Sequence, residues 1–157
     1  MILISEEFKN GDTLSESYQA DKENKSPALQ WLNFPEETKS FAILMHDKDA
    51  PTGGAGWWHW MAFDIPSNVT SLVRDAGNLS GDLLPKGAKQ MKNDGGVWGY
   101  MGCYPPKGDK PHEYKFTIYA LDLEYLPINP EDSTSKAGFI INSHVLDKAS
   151  LIGYYSR

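Results

Sequence analysis

Three stretches of the chain alternate between apolar and other positions with a period of two, the pattern of a strand with one buried face. In the first, Phe41, Ile43 and Met45 run into Asp47 and Asp49. In the second, Trp57, His59, Met61 and Phe63 share a face by the same alternation. The third, His112, Tyr114, Phe116 and Ile118, again places its polar tip first and its apolar tail after. The opposite face of the first stretch, Ala42 and Leu44, is apolar too, which predicts an interior strand over Ser40 to Asp47. Between the first two stretches lies Pro51-Thr52-Gly53-Gly54-Ala55-Gly56, a turn segment that folds them back antiparallel. Asp47, Asp49 and His59 then meet at the turn end. Three strands with apolar bodies and ionisable tips predict a core with a small polar pocket at one end.

The remaining elements are weaker. Residues 1 to 8 predict a first strand, Asn10-Gly11-Asp12 a turn, and Thr13 to Tyr18 a second short strand. Ala20 to Pro27 is polar, and Ser26-Pro27 forces an extended or turn conformation ahead of Leu29-Gln30-Trp31. The segment reads equally as a plain surface loop or as one in which Ser26 and Pro27 are structural. Phe34 to Thr38 is a connecting turn, Trp57 to Ile65 a strand, and Val69 to Val73 a short strand opening a long irregular excursion to Gly96. Four glycines fall between Gly95 and Gly102, with Trp98 and Tyr100 among them. After a proline-rich turn, His112 to Leu121 is a strand. Thr134 to Ser150 then carries a helical stripe capped by Ser133 or Thr134, and Leu151 to Tyr155 is a last strand. No repeat, low-complexity tract or change of composition divides residues 1–157, so one domain is expected.

Charge and cysteine content remove several function classes. With 15 basic and 21 acidic residues the net charge is -6, and the basic residues form no cluster, so neither nucleic acid nor an anionic membrane is an expected partner. The one cysteine, Cys103, excludes an internal disulfide and fits a reducing compartment. No basic segment precedes a hydrophobic run at the N-terminus, and no window approaches the roughly 18 apolar residues of a membrane span. A cytoplasmic protein is expected. An exposed aromatic surface is compatible with a homodimer, although no periodic seam marks one.

A histidine beside two aspartates suits a metal site, an acid–base cluster or a binding pocket. Asp47 and Asp49 with His46 or His59 are plausible metal ligands, but no His-x-x-x-His pair or cysteine cluster accompanies them. A hydrolase lacks its signature, since there is no Gly-x-Ser-x-Gly and Cys103 sits in a proline-rich turn without a neighbouring histidine. Binding fits better: two histidines, a tyrosine hydroxyl and the amides of a glycine-rich loop are all donors for an oxyanion such as phosphate. Aspartates belong there if each accepts an N–H from a histidine or a backbone amide, orienting the ring and favouring the charged imidazole. By this reasoning Asp47, Asp49, His59, His112 and Tyr114 are the candidate site residues. No cofactor is implied, while His46 and His144 are left as ordinary structural histidines.

Five motifs in order complete the picture: Asn24-x-Ser26-Pro27-x-Leu29-x-Trp31, Asp47-x-Asp49-Ala50-Pro51, Trp57-x-His59-Trp60, Gly99-Tyr100-x-Gly102 with Pro105-Pro106, and His112-x-Tyr114-x-Phe116. The chain strongly resembles the phosphatidylethanolamine-binding protein family, also called Raf kinase inhibitor-like proteins, in its short bacterial branch. That resemblance implies an all-β, Greek-key β-sandwich with one or two short helices near the C-terminus. It also implies a non-enzymatic cavity for phosphate-like anions, phospholipid headgroups or phosphorylated groups. By position, Asp47, Asp49, His59, His112 and Tyr114 would line the cavity, Gly102 would offer backbone N–H groups, and Pro51 and Trp57 would shape the walls. The alternative it carries is an inhibitor of a kinase or protease that docks through the pocket rim. Two departures bear on the site: Lys48 stands where the family has proline, and Cys103-Tyr104 precede Pro105-Pro106, so Tyr104 is expected to narrow the mouth.

Overall fold

The computed structural model describes residues 1–157 and consists of strands, a single α-helix and long connections. Strand β4 (Ser40–Asp47) is its axis: β5 (Trp57–Pro66) pairs antiparallel on one side and β8 (His112–Leu121) on the other. β9 (Val145–Tyr155) pairs with β8, while β2 (Asp12–Thr13) and β7 (Lys89–Gln90) complete the six-stranded sheet in the order β2-β9-β8-β4-β5-β7. Because β8 returns to the side of β4 away from β5, the chain crosses over its own hairpin, as a Greek key does. A second sheet of three strands, β1 (Ile2–Ile4), β3 (Leu29–Leu32) and β6 (Ser71–Leu72), packs over it.

β4 is apolar on both faces because both are covered. Phe41, Ile43 and Met45 pack with Trp31, Leu29, Phe116 and Ile118 between the two sheets. Ala42 and Leu44 pack with Met61, Phe63, Ala137 and Ile141 beneath helix α1 (Thr134–Ser143). The outer face of the small sheet remains open, with Ile2, Ile4 and Leu32 exposed. No helix is long and apolar enough to cross a membrane.

The alternation read along the second stretch breaks in the structure. Met45 pairs with Trp60 but His46 with Trp58, so His59 is an extra residue in β5, a β-bulge. A second bulge follows, since Phe41 pairs with Ile65 and Ile43 with Ala62. There Asp64 takes a left-handed conformation at φ +55°. As a result Trp57 and His59 face the pocket, whereas Met61 and Phe63 lie in the core beneath the helix.

Other boundaries shift for identifiable reasons. The helix ends at Ser143 rather than Ser150: His144 N–H closes onto the Ile141 carbonyl, and the β8 ladder captures the chain from Val145 onward. Residues 145–155 accordingly alternate in exposure as a strand does. Thr13 to Tyr18 is not a strand beyond Thr13, because Ser15 caps a 3-10 turn over Glu16–Tyr18. The first strand stops at Ile4, where the Ser5 hydroxyl leaves the ladder to donate to the Ala28 carbonyl at 2.7 Å. Over 69–73 only Ser71 and Leu72 pair. Ser26 is structural: it is fully buried, and its hydroxyl oxygen accepts the Gly77 amide at 2.9 Å.

Candidate functional site

Where β4, β5 and β8 end together, a cavity of about 340 Å³ opens between the 50–52 turn and the 101–106 segment. Asp47, His59 and His112 reach it from the three strand tips, all nearly buried. Pro51 and Trp57 form one wall, and Met101, Tyr104, Pro105 and Pro106 form the other.

Asp47 organises the floor. One carboxylate oxygen accepts the amides of Asp49 at 2.8 Å and Ala50 at 3.1 Å, which closes the turn that carries Pro51. The other oxygen accepts His112 Nδ1–H at 2.8 Å. His112 Nε2 lies 2.9 Å from a carboxylate oxygen of Asp109, so the ring bridges two carboxylates. Burial opposes charging this ring, but the two carboxylates outweigh it and hold its pKa above the usual histidine value.

His59 is held differently. Its Nδ1 lies 2.8 Å from the Met101 carbonyl, and its own carbonyl accepts the Met101 amide at 2.9 Å. The bulge makes this two-point grip possible, because the extra residue turns the ring and the backbone carbonyl toward the same neighbour. Burial pushes the pKa of His59 below the usual value, and the Met101 carbonyl and the Asp47 charge offset this only in part. The charged imidazole expected from the sequence therefore describes His112 and not His59. The Tyr114 ring meets His59 edge-on at 5.4 Å and stacks with His112 at 6.4 Å.

Three expected lining residues stand outside the cavity. Tyr114 is fully buried behind it, with a hydroxyl that finds no partner and whose pKa burial raises far above the ordinary range. Asp49 turns toward β8 and accepts the Glu113 amide at 2.8 Å, a bond that lowers its pKa. Gly102 offers no free amide, since its N–H donates to the Asn24 side chain at 2.7 Å. Glycine is required there for another reason: a Cβ would sit 2.0 Å from the Tyr18 carbonyl oxygen. Lys48 points outward to pair with Asp49 at 3.0 Å, so its charge stays out of the cavity. His46 is bonded to the Ala55 carbonyl and His144 to Asp122, both structurally.

Sequence reasoning missed Asp109, Met101 and Asn24 as parts of this assembly. Asp109 lies three residues before His112, a spacing that signals a local carboxylate–imidazole pair; Asn24 opens the first of the five motifs, but nothing there marks its bond to Gly102, and nothing local marks Met101. No three His, Cys, Asp or Glu side chains are arranged to hold a metal ion, and both nitrogens of His112 are already engaged. A larger cleft of about 450 Å³ lies at the far end of β4 and β5, lined by Lys39, Asp64 and Lys86 among others. Both oxygens of its one buried carboxylate, Asp64, are taken, by the Leu126 amide and by Lys89, so the cavity at His59 is the better candidate.

Two packed sheets, with a histidine and aspartate cavity where the central strands of the larger one end, define a class of small two-sheet β-sandwich. The family model described as phosphatidylethanolamine-binding protein matches residues 4–156, and the chain belongs to that family. It is 43% identical to YbcL of Escherichia coli K12 over 98% of this chain and 86% of YbcL. Identity to E. coli YbhB is 38%, over 99% of this chain and all of YbhB. The crystal structure of E. coli YbcL, described as a new member of the mammalian PEBP family, superposes with a TM-score of 0.96 at 42% identity, covering 99% of this chain and 98% of that one.

Proposed function

We propose that this is a non-enzymatic binding protein that holds a phosphate-bearing group in the cavity between Asp47, His59 and His112. One observation carries the reading: a buried polar group of the cavity wall has no protein partner. The Trp57 indole N–H is unbonded, and beside it His59 lines the cavity with its ring fixed through Nδ1. An unpaired buried group costs about 1–3 kcal/mol, so its place in the cavity wall supports an occupant that satisfies it. The apolar rim of Pro51, Trp57, Pro105 and Pro106 suits the organic part of a phosphoester. The family to which the chain belongs, named for a phospholipid, supports the same reading.

Turnover is not part of the proposal. The Cys103 thiol is buried and its pKa is raised by that burial, and the Thr52 hydroxyl donates to the Gly56 carbonyl at 3.1 Å. Neither is a poised nucleophile. An NMR titration with inorganic phosphate and O-phosphoethanolamine tests the binding. Amide shifts confined to residues 50–52, 57–59, 101 and 112, and absent in His59→Ala, are expected. A flat titration at millimolar ligand would sink the reading, and release of product from phosphoester or carboxyl-ester substrates would overturn its non-enzymatic half.

The rim also supports a second reading, in which a kinase or protease is inhibited by docking there, because Tyr104 is 46% exposed beside the two prolines. Tyr104→Ala would then weaken protein capture while leaving phosphate titration unchanged.

A further inference from the structure

The chain has five methionines, and the fold sets one of the internal ones apart. Met45, Met61 and Met91 are enclosed in the core at no more than 1% exposure. Met1 is partly buried against that core at the chain terminus. Met101 is also partly exposed, but it stands in the wall of the cavity. The one thiol nearby, Cys103, is fully buried and kept protonated by that burial, so it does not compete for an oxidant.

Met101 touches the cavity machinery on three sides. Its carbonyl fixes the His59 ring through Nδ1, and its amide bonds the His59 carbonyl. Its side chain lies across the exposed backbone of Gly95, where the sulfur fills the place a Cβ would take. The carboxamide oxygen of Asn93 borders the same place. Asn93 is buried and fully engaged: its oxygen accepts the Gly95 amide at 2.9 Å and the Val97 amide at 3.3 Å, and its nitrogen donates to the carbonyls of Gly99 at 3.0 Å and His59 at 3.3 Å. The thioether thus sits where the glycine-rich loop and the His59 bulge are joined.

A thioether suits that seat because it is apolar and asks for no strong hydrogen bond. A sulfoxide does not. With hydrogen peroxide as oxidant, the sulfur lone pair attacks one peroxide oxygen, the S–O bond forms as the O–O bond breaks, and the second oxygen leaves as water with the transferred proton. Sulfur loses two electrons and peroxide gains them. The new oxygen is a strong acceptor. Turned toward Gly95 it meets the Asn93 oxygen, another acceptor, and drives the loop and Met101 apart. Turned toward the cavity it sets the negative end of a dipole against an anion held there.

Resting on the binding function proposed above, we infer that Met101 is a reversible oxidation site, at which sulfoxide formation loosens the grip on His59 and weakens the binding of phosphate in the cavity. Reduction by the two epimer-specific methionine sulfoxide reductases restores the thioether.

Hydrogen peroxide treatment of the intact folded protein, followed by peptide mass spectrometry, tests the site. Met101 is expected to gain one oxygen roughly tenfold or more faster than Met45, Met61 and Met91, with Met1 as the internal reference for plain exposure. Amide spectra of the oxidised protein should shift at His59, Asn93 and Gly95. Affinity for inorganic phosphate should fall about fivefold, the equivalent of one hydrogen bond, and both changes should reverse with the reductases. Met101→Leu, of similar volume but without sulfur, should keep its own phosphate affinity unchanged through the same peroxide treatment. Core methionines oxidising as fast as Met101, or an oxidised Met101 that leaves the His59 amide and the phosphate affinity where they were, overturns the inference while the binding function stands. A reduced protein that binds no phosphate removes the binding function instead, and the His59 shift on oxidation then upholds or overturns the coupling by itself.

Discussion

At the scale of single residues, Asp47 is the group on which most else depends. It closes the 47–50 turn and tethers His112, so removing it opens the turn and strands a buried imidazole at once. Breaking one side of a buried charged pair costs about 3–5 kcal/mol, and Asp47→Ala is expected to lower stability by about that much, read from the urea midpoint. Cys103 is a simpler case. Fully buried and with its thiol pKa raised, it should resist a thiol reagent in the native protein and react stoichiometrically once unfolded. The sequence made Asp47, His59 and His112 legible because each ends an alternating apolar stretch, a pattern that survives without coordinates. It did not separate a charged histidine from a neutral one. That difference lies in whether the ring's partners are carboxylates, as for His112, or a carbonyl, as for His59, and Met101 is 42 residues away in the chain. Gly102 shows the same limit, since its importance was visible but its reason, close approach to the Tyr18 backbone, was not.

At the scale of elements, the far wall of the cavity is a connection rather than a strand, and it is tied down at both ends. Toward the core, Cys103 and Gly102 lie against 18–24: Cys103 N–H donates to the Tyr18 carbonyl at 2.9 Å, and the Ala20 amide to the Cys103 carbonyl at 3.0 Å. Gly102→Ala places a Cβ against that backbone, so it is expected to destabilise the protein and to move the Met101 amide in NMR spectra, shifting the partner of His59. Toward solvent, the Arg157 guanidinium stacks on Tyr104 at 3.7 Å and its Nε donates to the Pro105 carbonyl at 2.7 Å. Arg157→Gln should cost about 1 kcal/mol or less while speeding hydrogen exchange at Gly108, whose amide reaches the Arg157 carbonyl. The strands of this architecture were readable from period two. The helix boundary was not, because Val145, Leu146 and Ala149 fit a helical stripe as well as a strand until the pairing with β8 decides. The bulge was also hidden, since one inserted residue changes the phase of an alternation without interrupting its apolar character.

At the scale of the whole molecule, the two site histidines pull pH-dependent stability in opposite directions. His112 has a raised pKa in the fold, so the stability it contributes is fully present below the unfolded value near 6.5 and is lost as pH rises through its folded value. His59 has a lowered pKa and must be charged against burial, so stability is lost as pH falls from about 6.5 toward its folded value. Asp49, lowered in the fold, adds a further loss only in stronger acid, as pH falls below the usual carboxylate range toward its own value. Thermal melts should therefore show His59→Gln losing less stability than the parent between pH 7 and pH 5. His112→Asn should differ in the other sense, losing less than the parent as pH rises above 7. If both variants track the parent across the whole range, the opposed assignment of the two rings is wrong.

The bulge at His59 resembles an edge dislocation in a crystal: one extra half-row ends inside an otherwise regular lattice. Trp58 and Trp60 already face consecutive residues of β4, so removing His59 outright would restore the register at this end of the hairpin, with the bulge at Asp64 remaining. Substituting this residue changes the chemistry of the cavity floor, whereas deleting it would remove one of the three side chains that reach the cavity together with the backbone carbonyl that Met101 and Asn93 bond. The histidine of the cavity is in that sense carried on a single-residue insertion in the hairpin, a local defect in an otherwise paired lattice.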